Sequence, residues 1–148
     1  IPPIFGHFVA VRSRAPEHNK AMSETCPREP AIRTILMPKD TNASGTIFGG
    51  VILSHIDLAA VMEAHKVNAA RRYVTVAMDK VVFYEPVFVG DQVSFYTELV
   101  KIGNTSVTAK VEVMVRRRSD PTREEVKVTE AEVVYVAVDE NRRPVPVQ

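Results

Sequence analysis

The feature that most constrains the fold is one long segment, residues 51–70, that contains neither glycine nor proline. Its leucine, alanine, methionine and glutamate residues favour a helix. At about 100° per residue, apolar side chains surround most of the first four turns. They are Leu53, Ala60, Val61 and Ala64 on one face, and Ile52, Ala59 and Met62 on others. We therefore expect a helix that is buried on most sides and reaches solvent only towards Glu63, His65 and Lys66.

A short strand is predicted before the helix, at residues 32–37, where Pro38 ends it. After the helix the periodicity changes to two, as is typical of half-buried strands, over residues 74–84, 93–99, 107–115 and 126–138. Short connections between the later strands predict antiparallel pairing. We predict an α+β fold in which a curved antiparallel sheet of about five strands wraps around one central helix. One helix cannot cover such a sheet, and its open edges predict a homodimer.

Residues 1–29 contain four prolines and mixed charges, which predicts an N-terminal extension followed by a single domain over residues 30–148. The formal net charge of +1 argues against bulk attraction to nucleic acid or to an anionic membrane, so any anion site must be local. The single cysteine, Cys26, cannot form an internal disulfide. We therefore expect a reducing, cytoplasmic compartment and no chemistry at Cys26.

The most unusual residue of the helix is Asp57, which shares a face with Leu53 and Ala60. Aspartate is a poor residue for the middle of a helix, and carboxylates are seldom buried without a partner. Such groups are common at catalytic sites. An aspartate that binds backbone amides of a neighbouring loop is the structural alternative, and helix position alone leaves both interpretations open.

The loop before the helix favours the catalytic interpretation. Asn42 offers a side-chain amide on a short turn, and Gly49 and Gly50 lie at or just before the helix start. Glycine lets a ligand approach the backbone closely, and free N–H groups at a helix N-terminus stabilise a developing oxyanion. A pair of glycines is often only a turn. The combination with an amide and with Asp57 two turns further on points to a catalytic site.

The stretch MPKDTNASGTIFGG at residues 37–50, continuing through Leu53 to Asp57, resembles the signature of hotdog-fold acyl-CoA thioesterases. It is most similar to the YciA-like thioesterases, which are related to cytosolic acyl-CoA hydrolases. The resemblance runs from about residue 31 to 139 and includes residues 89–91, 101–106 and 136–139. It implies hydrolysis of an acyl-CoA to free CoA and a fatty acid by a double-hotdog dimer, which often assembles further as a trimer of dimers. It implies no cofactor, because coenzyme A is part of the substrate.

The same resemblance implies roles for individual residues. Asp57 is the catalytic carboxylate, Asn42 comes from the partner subunit, and the Gly50 N–H, with Gly49 beside it, stabilises the oxyanion. The turn that comprises Gly103, Asn104, Thr105 and Ser106 approaches the CoA phosphates. Cations that could form a phosphate rim are Arg71, Arg72, Lys101 and Arg116 with its neighbours Arg117 and Arg118, although each is also readable as a surface charge. The acyl chain could be lined by Phe48, Met62, Met78, Phe83 and Tyr84.

We expect Asp57 either to activate a water or to attack the thioester carbonyl and form an anhydride.

Two other functions are alternatives to hydrolysis of a thioester. A hotdog dehydratase would pair a histidine with an acid, but residues two apart on a helix point about 200° away from each other, so His55 cannot couple to Asp57. We expect His55 on the far face with Met62 and Lys66. No metal role is expected for His7, His18, His55 or His65, which lack ligand spacing.

The alternative from another class is a non-catalytic acyl-CoA-binding or sensing module. Such a regulator normally carries a DNA-binding helix-turn-helix, and residues 1–30 are too rich in proline to supply one. A degenerate acyl-CoA-binding module stays open. It would bind acyl-CoA without turnover.

Overall fold

The computed structural model describes residues 27–148, which form one helix and five strands. In chain order these are β1 (Ile32–Ile35), α1 (Gly49–Val67), β2 (Arg72–Phe83), β3 (Gln92–Ile102), β4 (Ser106–Arg116) and β5 (Glu125–Val138), with a 3-10 turn at Pro38–Asp40. All strands pair antiparallel in one sheet of order β1-β3-β4-β5-β2. The predicted α+β architecture is confirmed.

Most of the predicted N-terminal extension, including Cys26, lies outside the described residues. Of its last residues, Arg28 pairs with Glu112 of β4 at 2.7 Å and lies over the ring of Tyr96. Within residues 27–148, no helix is long and apolar enough to cross a membrane.

The helix packs one face on the inner side of the sheet. That face comprises Ile52, Ile56, Ala59, Ala60, Glu63 and Ala64, and it meets buried valines and alanines of β3, β4 and β5. α1 ends at Val67, three residues before the predicted end, because Asn68 is extended (φ −155°) and its side-chain amide donates to the Val147 carbonyl at 2.7 Å. The opposite face leaves Leu58 57% and Met62 44% exposed. Within a single chain, α1 is therefore not buried on most sides as predicted.

Glu63 contradicts the prediction that it emerges into solvent, since it is only 7% exposed. It follows Ile56 by seven residues, which places it two turns further along the same buried face. Its Oε1 accepts hydrogen bonds from Thr97 Oγ1 at 2.6 Å and from Lys66 Nζ at 2.5 Å. Burial acts to raise the pKa of Glu63, but these two hydrogen bonds outweigh it and hold the pKa below its ordinary value.

Among the described residues, β2 pairs only with β5 and forms one edge of the sheet. The consecutive strands β2 and β3 are not neighbours, because β4 and β5 lie between them, and residues 84–91 make the crossover that connects them. The register of β2 on β5 shifts twice, between Thr75 and Ala77 and between Asp79 and Val82, and Lys80 there has φ 51°. Exposed apolar side chains on this strand are Val74, Val76, Val82 and Phe83.

Candidate active site

The Asp57 carboxylate is half-buried in the middle of α1 and is held by two hydroxyl groups of the sheet. Thr75 Oγ1 donates to Asp57 Oδ1 at 2.8 Å. The Tyr135 hydroxyl donates to the same Oδ1 at 2.9 Å and to the main-chain carbonyl of Asp57 at 2.6 Å. Thr75 on β2 and Tyr135 on β5 are cross-strand partners, so adjacent strands present both donors at one place. No donor among the described residues bonds to Oδ2.

Tyr135 is a permanent donor at this site. Burial, and then its hydrogen bond to the Asp57 carboxylate, raise the pKa of Tyr135 far above its ordinary value, so the phenol keeps its proton. Oδ1 of Asp57 therefore accepts hydrogen bonds from two hydroxyl groups, whereas Oδ2 is available to bind a ligand. The structural alternative, in which Asp57 binds the amides of a loop, does not occur within residues 27–148.

Gly49 and Gly50 form the first turn of α1, not the loop before it. Phe48 precedes them as the N-cap and offers no side-chain capping bond. The first N–H groups of a helix have no partner within it, and in the described chain the N–H groups of Gly49 and Gly50 donate no backbone hydrogen bond. A Cβ on Gly50 would lie 2.4 Å from Cε1 of the Phe48 ring. Glycine is thus required for the exposed Phe48 ring to lie against the helix start.

Asn42 is exposed on the loop that leads to the helix, and its side chain organises that loop. Its Oδ1 accepts from the N–H of Ser44 at 2.9 Å and of Thr46 at 3.3 Å, and its Nδ2 donates to Thr46 Oγ1 at 3.0 Å. Asn42 does not contact Asp57 of its own chain through any of these bonds. Gly50 also lies apart from Asp57, because seven residues of helix span about 10 Å.

Several residues of the predicted phosphate site come together at one end of the sheet. In the register of β5, Val136 opposes Ser106 and Val138 opposes Arg72. The turn of residues 103–106 closes with a 2.7 Å bond from the Gly103 N–H to the Ser106 carbonyl. The carbonyls of Thr105 and Asn104 accept from the N–H groups of Ala137 and Val147. Lys101 is exposed beside this turn.

Arg71 and Arg72 line a cavity of about 390 Å³ at the same end. The Nε of Arg71 is buried there and has no hydrogen-bond partner among the described residues. Asp139 and Glu140 also line this cavity, so an anion would enter a site of mixed charge. Asp57 is near this end too, since its partner Tyr135 opposes Val107, the residue after Ser106.

Arg116 does not join this group within the chain. It lies at the opposite end of β4 from Ser106, and ten residues of strand span about 33 Å. Its Nε is 3.4 Å from a Glu125 carboxylate oxygen. Arg117 is held by Asp91 at 2.6 Å and Glu85 at 3.0 Å. Strand ends looked equivalent in the sequence, but the sheet order places these arginines away from the turn of residues 103–106.

His55 lies on the side of α1 away from Asp57, as expected, and helix periodicity puts Met62 and Lys66 on the same side. It stacks on Phe95 of β3, with ring centroids 5.5 Å apart, and its Nδ1 is 2.8 Å from the Val51 carbonyl oxygen. His55 therefore meets β3, whereas Asp57 meets β2 and β5. In the part of the chain that is described, no three histidine, cysteine, aspartate or glutamate residues form a group that could hold a metal ion.

A second cavity, of about 330 Å³, lies beside the helix start. It is lined by Thr46, Ile47, Gly49, Ile52, Phe83, Tyr84, Glu85, Pro86, Val87 and Thr129. Of the side chains proposed for the acyl chain, Phe83 and Tyr84 contribute to this lining, whereas Phe48, Met62 and Met78 do not.

Three residues were not predicted from the sequence to belong to a site: Thr75, Tyr135 and Thr129. Each lies on an alternating strand, where its hydroxyl is not distinguishable from that of an ordinary strand residue. One signal was available at Tyr135, which is the only inward side chain with a polar end between Val133 and Ala137. A buried tyrosine hydroxyl normally has a hydrogen-bond partner.

Comparisons with known proteins identify the family of the chain. A family model described as "Thioesterase superfamily" matches residues 44–121. The chain is 43% identical over 130 residues to the acyl-CoA thioester hydrolase YciA of Salmonella typhimurium, covering 86% of this chain and 97% of that protein. It is 47% identical over 116 residues to an uncharacterized acyl-CoA thioester hydrolase of Zymomonas mobilis, covering 78% and 76%.

Solved structures give the same result for the fold. A hexameric hotdog fold thioesterase of Campylobacter jejuni has a TM-score of 0.74 at 45% identity, covering 81% of this chain and 90% of that one. A hexameric thioesterase from Yersinia pestis has a TM-score of 0.75 at 38% identity, covering 82% and 97%. With one helix against a five-stranded antiparallel sheet, a carboxylate on that helix and these relatives, the chain belongs to the thioesterase superfamily and has the hotdog fold.

Proposed function

We propose that this protein hydrolyses acyl-CoA thioesters to free CoA and a fatty acid, with Asp57 as the general base or the nucleophile. One observation carries the proposal: Thr75 and Tyr135 both donate to Oδ1 of Asp57 and leave Oδ2 without a partner among the described residues. A carboxylate held in this way has one oxygen fixed and one available for a water or a carbonyl carbon. Relatives named acyl-CoA thioester hydrolases support the substrate class.

In the water-activating path, Oδ2 of Asp57 takes a proton from a water as the water oxygen bonds to the thioester carbonyl carbon. The carbonyl oxygen becomes an oxyanion, and N–H groups at the helix start are suited to stabilise it. When this intermediate collapses, the C–S bond breaks and the departing sulfur takes the proton from Asp57. The products are the CoA thiol and the acid.

In the nucleophilic path, Oδ2 itself bonds to the carbonyl carbon, and the C–S bond breaks to release the CoA thiolate. A water then hydrolyses the resulting anhydride and regenerates Asp57. In both paths the N–H group of Gly50, with Gly49 beside it, donates a hydrogen bond to the oxyanion. In both, the Asn42 amide orients the water or the carbonyl. Neither path uses a cofactor, since coenzyme A enters as substrate and leaves as product.

The two halves of this site must come from different subunits. Asp57 and Gly50 of one chain are about 10 Å apart along the helix, whereas a hydrogen bond spans about 3 Å. Antiparallel pairing of two β2 edges would also make the two helices antiparallel. Asp57 of one chain would then face the helix start and Asn42 of the other.

The exposed surface supports such a homodimer. Apolar side chains are exposed on the β2 edge, at Val74 and Val76, and on the helix, at Leu58 and Met62, and a second copy of the chain would cover such groups. Hexameric relatives support further assembly as a trimer of dimers. We further propose that Arg71, Arg72, Lys101 and the turn of residues 103–106 bind the CoA phosphates. The single cysteine supports a cytoplasmic setting.

The experiment that tests the proposal measures thiol release from acyl-CoAs of two to sixteen carbons. Wild type is compared with Asp57→Asn and Asp57→Ala, and with Glu124→Gln as a control that removes an exposed carboxylate from the connection between β4 and β5. We expect both Asp57 variants to lose at least about 10²–10⁴-fold in rate with the oligomer intact, while the control keeps its activity.

Full activity of an Asp57 variant would reject Asp57 as the catalytic group. If wild type binds these esters but releases no thiol from any of them, the protein is instead a non-catalytic acyl-CoA-binding module.

A further inference from the structure

The cavity beside the helix start has the size and the lining of a small acyl pocket. Its inner wall is apolar, since Ile47, Ile52 and Val87 are all buried. Its volume of about 330 Å³ is at the small end of the range for ligand pockets, which is ~300–1,000 Å³. The Tyr84 ring at its rim is fixed by a 2.5 Å hydrogen bond from the Tyr84 hydroxyl to Glu130 Oε1. The pocket therefore suits a short chain.

One polar group breaks this apolar lining. Thr129 is 0% exposed, lines the cavity, and its Oγ1 has no hydrogen-bond partner among the described residues. Its cross-strand neighbours are Phe83 on β2 and Val113 on β4, neither of which has a polar side chain. A buried hydroxyl without a partner is costly, and an oxygen atom of a ligand would remove that cost.

The cavity also touches the reacting end of the substrate. Gly49 forms part of its wall and lies next to Gly50, whose N–H would hold the thioester carbonyl oxygen. The pantetheine arm that follows the thioester sulfur carries two amide groups, which would lose their hydrogen bonds to water against the apolar inner wall of this cavity. An acyl chain would instead bury apolar surface there, so the cavity suits the acyl chain better than the coenzyme.

We propose that this cavity receives a short acyl chain and that the Thr129 hydroxyl hydrogen-bonds an oxygen substituent on it, which favours hydroxyacyl and oxoacyl thioesters over saturated ones. The proposal rests on the hydrolase function proposed above. The substituent is neutral, because Glu85, the only charged residue among the described ones that line the cavity, would repel a second carboxylate on the acyl group. Glu85 forms an ion pair with Arg117 at 3.0 Å.

The test measures kcat/KM for matched pairs of substrates. The pairs are 3-hydroxybutyryl-CoA and 3-oxobutyryl-CoA against butyryl-CoA, and 5-hydroxyhexanoyl-CoA against hexanoyl-CoA. Thr129→Val keeps the side-chain shape without the hydroxyl. Thr129→Ser and Thr129→Ala form a second matched comparison, because both lose the methyl group and only serine keeps the hydroxyl.

We expect the ratio of oxygenated to saturated substrate to fall about fivefold in Thr129→Val for at least one pair, with butyryl-CoA or hexanoyl-CoA hydrolysed at least as fast as by wild type. Thr129→Ser should keep the wild-type ratio and Thr129→Ala should lose it, which decides the matter even if Thr129→Val fails to fold.

Ratios that stay unchanged in both Thr129→Val and Thr129→Ala would overturn the proposal and indicate that water or a partner side chain occupies the cavity. That result is distinct from a wild type that releases no thiol from any ester, which would reject the hydrolase function and this inference together.

Discussion

The Tyr135 hydroxyl donates to two oxygens of Asp57 at once, the side-chain Oδ1 at 2.9 Å and the main-chain carbonyl at 2.6 Å. Because a phenol has one proton, the two acceptors share it, and the side chain of Asp57 is tied to its own backbone through β5. Thr75 completes the arrangement from β2 at 2.8 Å. The direction of Oδ2 is therefore set by the sheet and not by the helix alone.

Replacing Tyr135 with phenylalanine removes this bond and keeps the ring. A hydrogen bond to a charged group is worth about 1.5–3 kcal/mol, so we expect Tyr135→Phe to lower kcat by about ten- to hundredfold with little change in KM. Steady-state kinetics from pH 4 to 9 measure kcat and KM.

Tyr96→Phe is the matched control, because the Tyr96 hydroxyl also donates to a carboxylate, that of Glu125, at 2.9 Å. It should leave kcat unchanged. Equal losses in the two variants would mean that Tyr135 acts only through stability.

Subunit mixing tests whether each site is shared between two chains. In a heterodimer of Asp57→Ala with Asn42→Ala, one site has both changes and the other has neither. We expect about a quarter of wild-type activity after random exchange, since half of the dimers are mixed and each has one intact site. Mixing Asp57→Ala with the double variant should restore nothing. Absence of recovery after proven exchange would contradict the composite site.

Glu63 contributes stability that depends on pH. Its pKa is held below its ordinary value of 4.5, so this contribution is complete above that pH and is lost as the pH falls through the lower folded-state pKa. We expect Glu63→Gln to reduce the free energy of unfolding by about 1–3 kcal/mol at pH 7 and by less at about pH 3. Urea unfolding at both pH values measures this. Glu98→Gln, an exposed position on β3, should show no such difference.

Arg71 should bind phosphate and not the acyl group, since its buried Nε lacks a partner at the end of the sheet that holds the turn of residues 103–106. We expect Arg71→Gln to raise KM for an acyl-CoA about fivefold or more and to leave KM for the same acyl N-acetylcysteamine thioester unchanged. Arg123→Gln, on an exposed loop, serves as the control. Equal effects on both thioesters would exclude a phosphate contact.

The fold was predictable because its patterns are local. Alternation located the four long strands to within a few residues, and the absence of glycine and proline located the helix. Asp57 could be chosen as the candidate for the same reason, since a carboxylate among Leu53 and Ala60 violates the pattern of its own helix.

The environment of Asp57 was not predictable, because it depends on pairings distant in sequence. Tyr135 is separated from Asp57 by 78 positions, and only the pairing of β2 with β5 brings Thr75 beside it. The order of strands also decides which strand ends meet. Arg72 lies at the same end as Ser106, whereas Arg116 lies at the other, a distinction that no spacing in the sequence contains.

The two register shifts in β2 have a consequence for how the protein behaves before it assembles. A newly folded chain presents an unpaired apolar strand, which is the kind of surface that recruits further strands without limit into fibrils. The shifts, with Lys80 inside the second of them, bend that strand so that a straight foreign strand cannot follow its full length. In the dimer proposed above, a partner with the same bends can match it, so the irregular edge would favour copies of this chain and end growth at the pair.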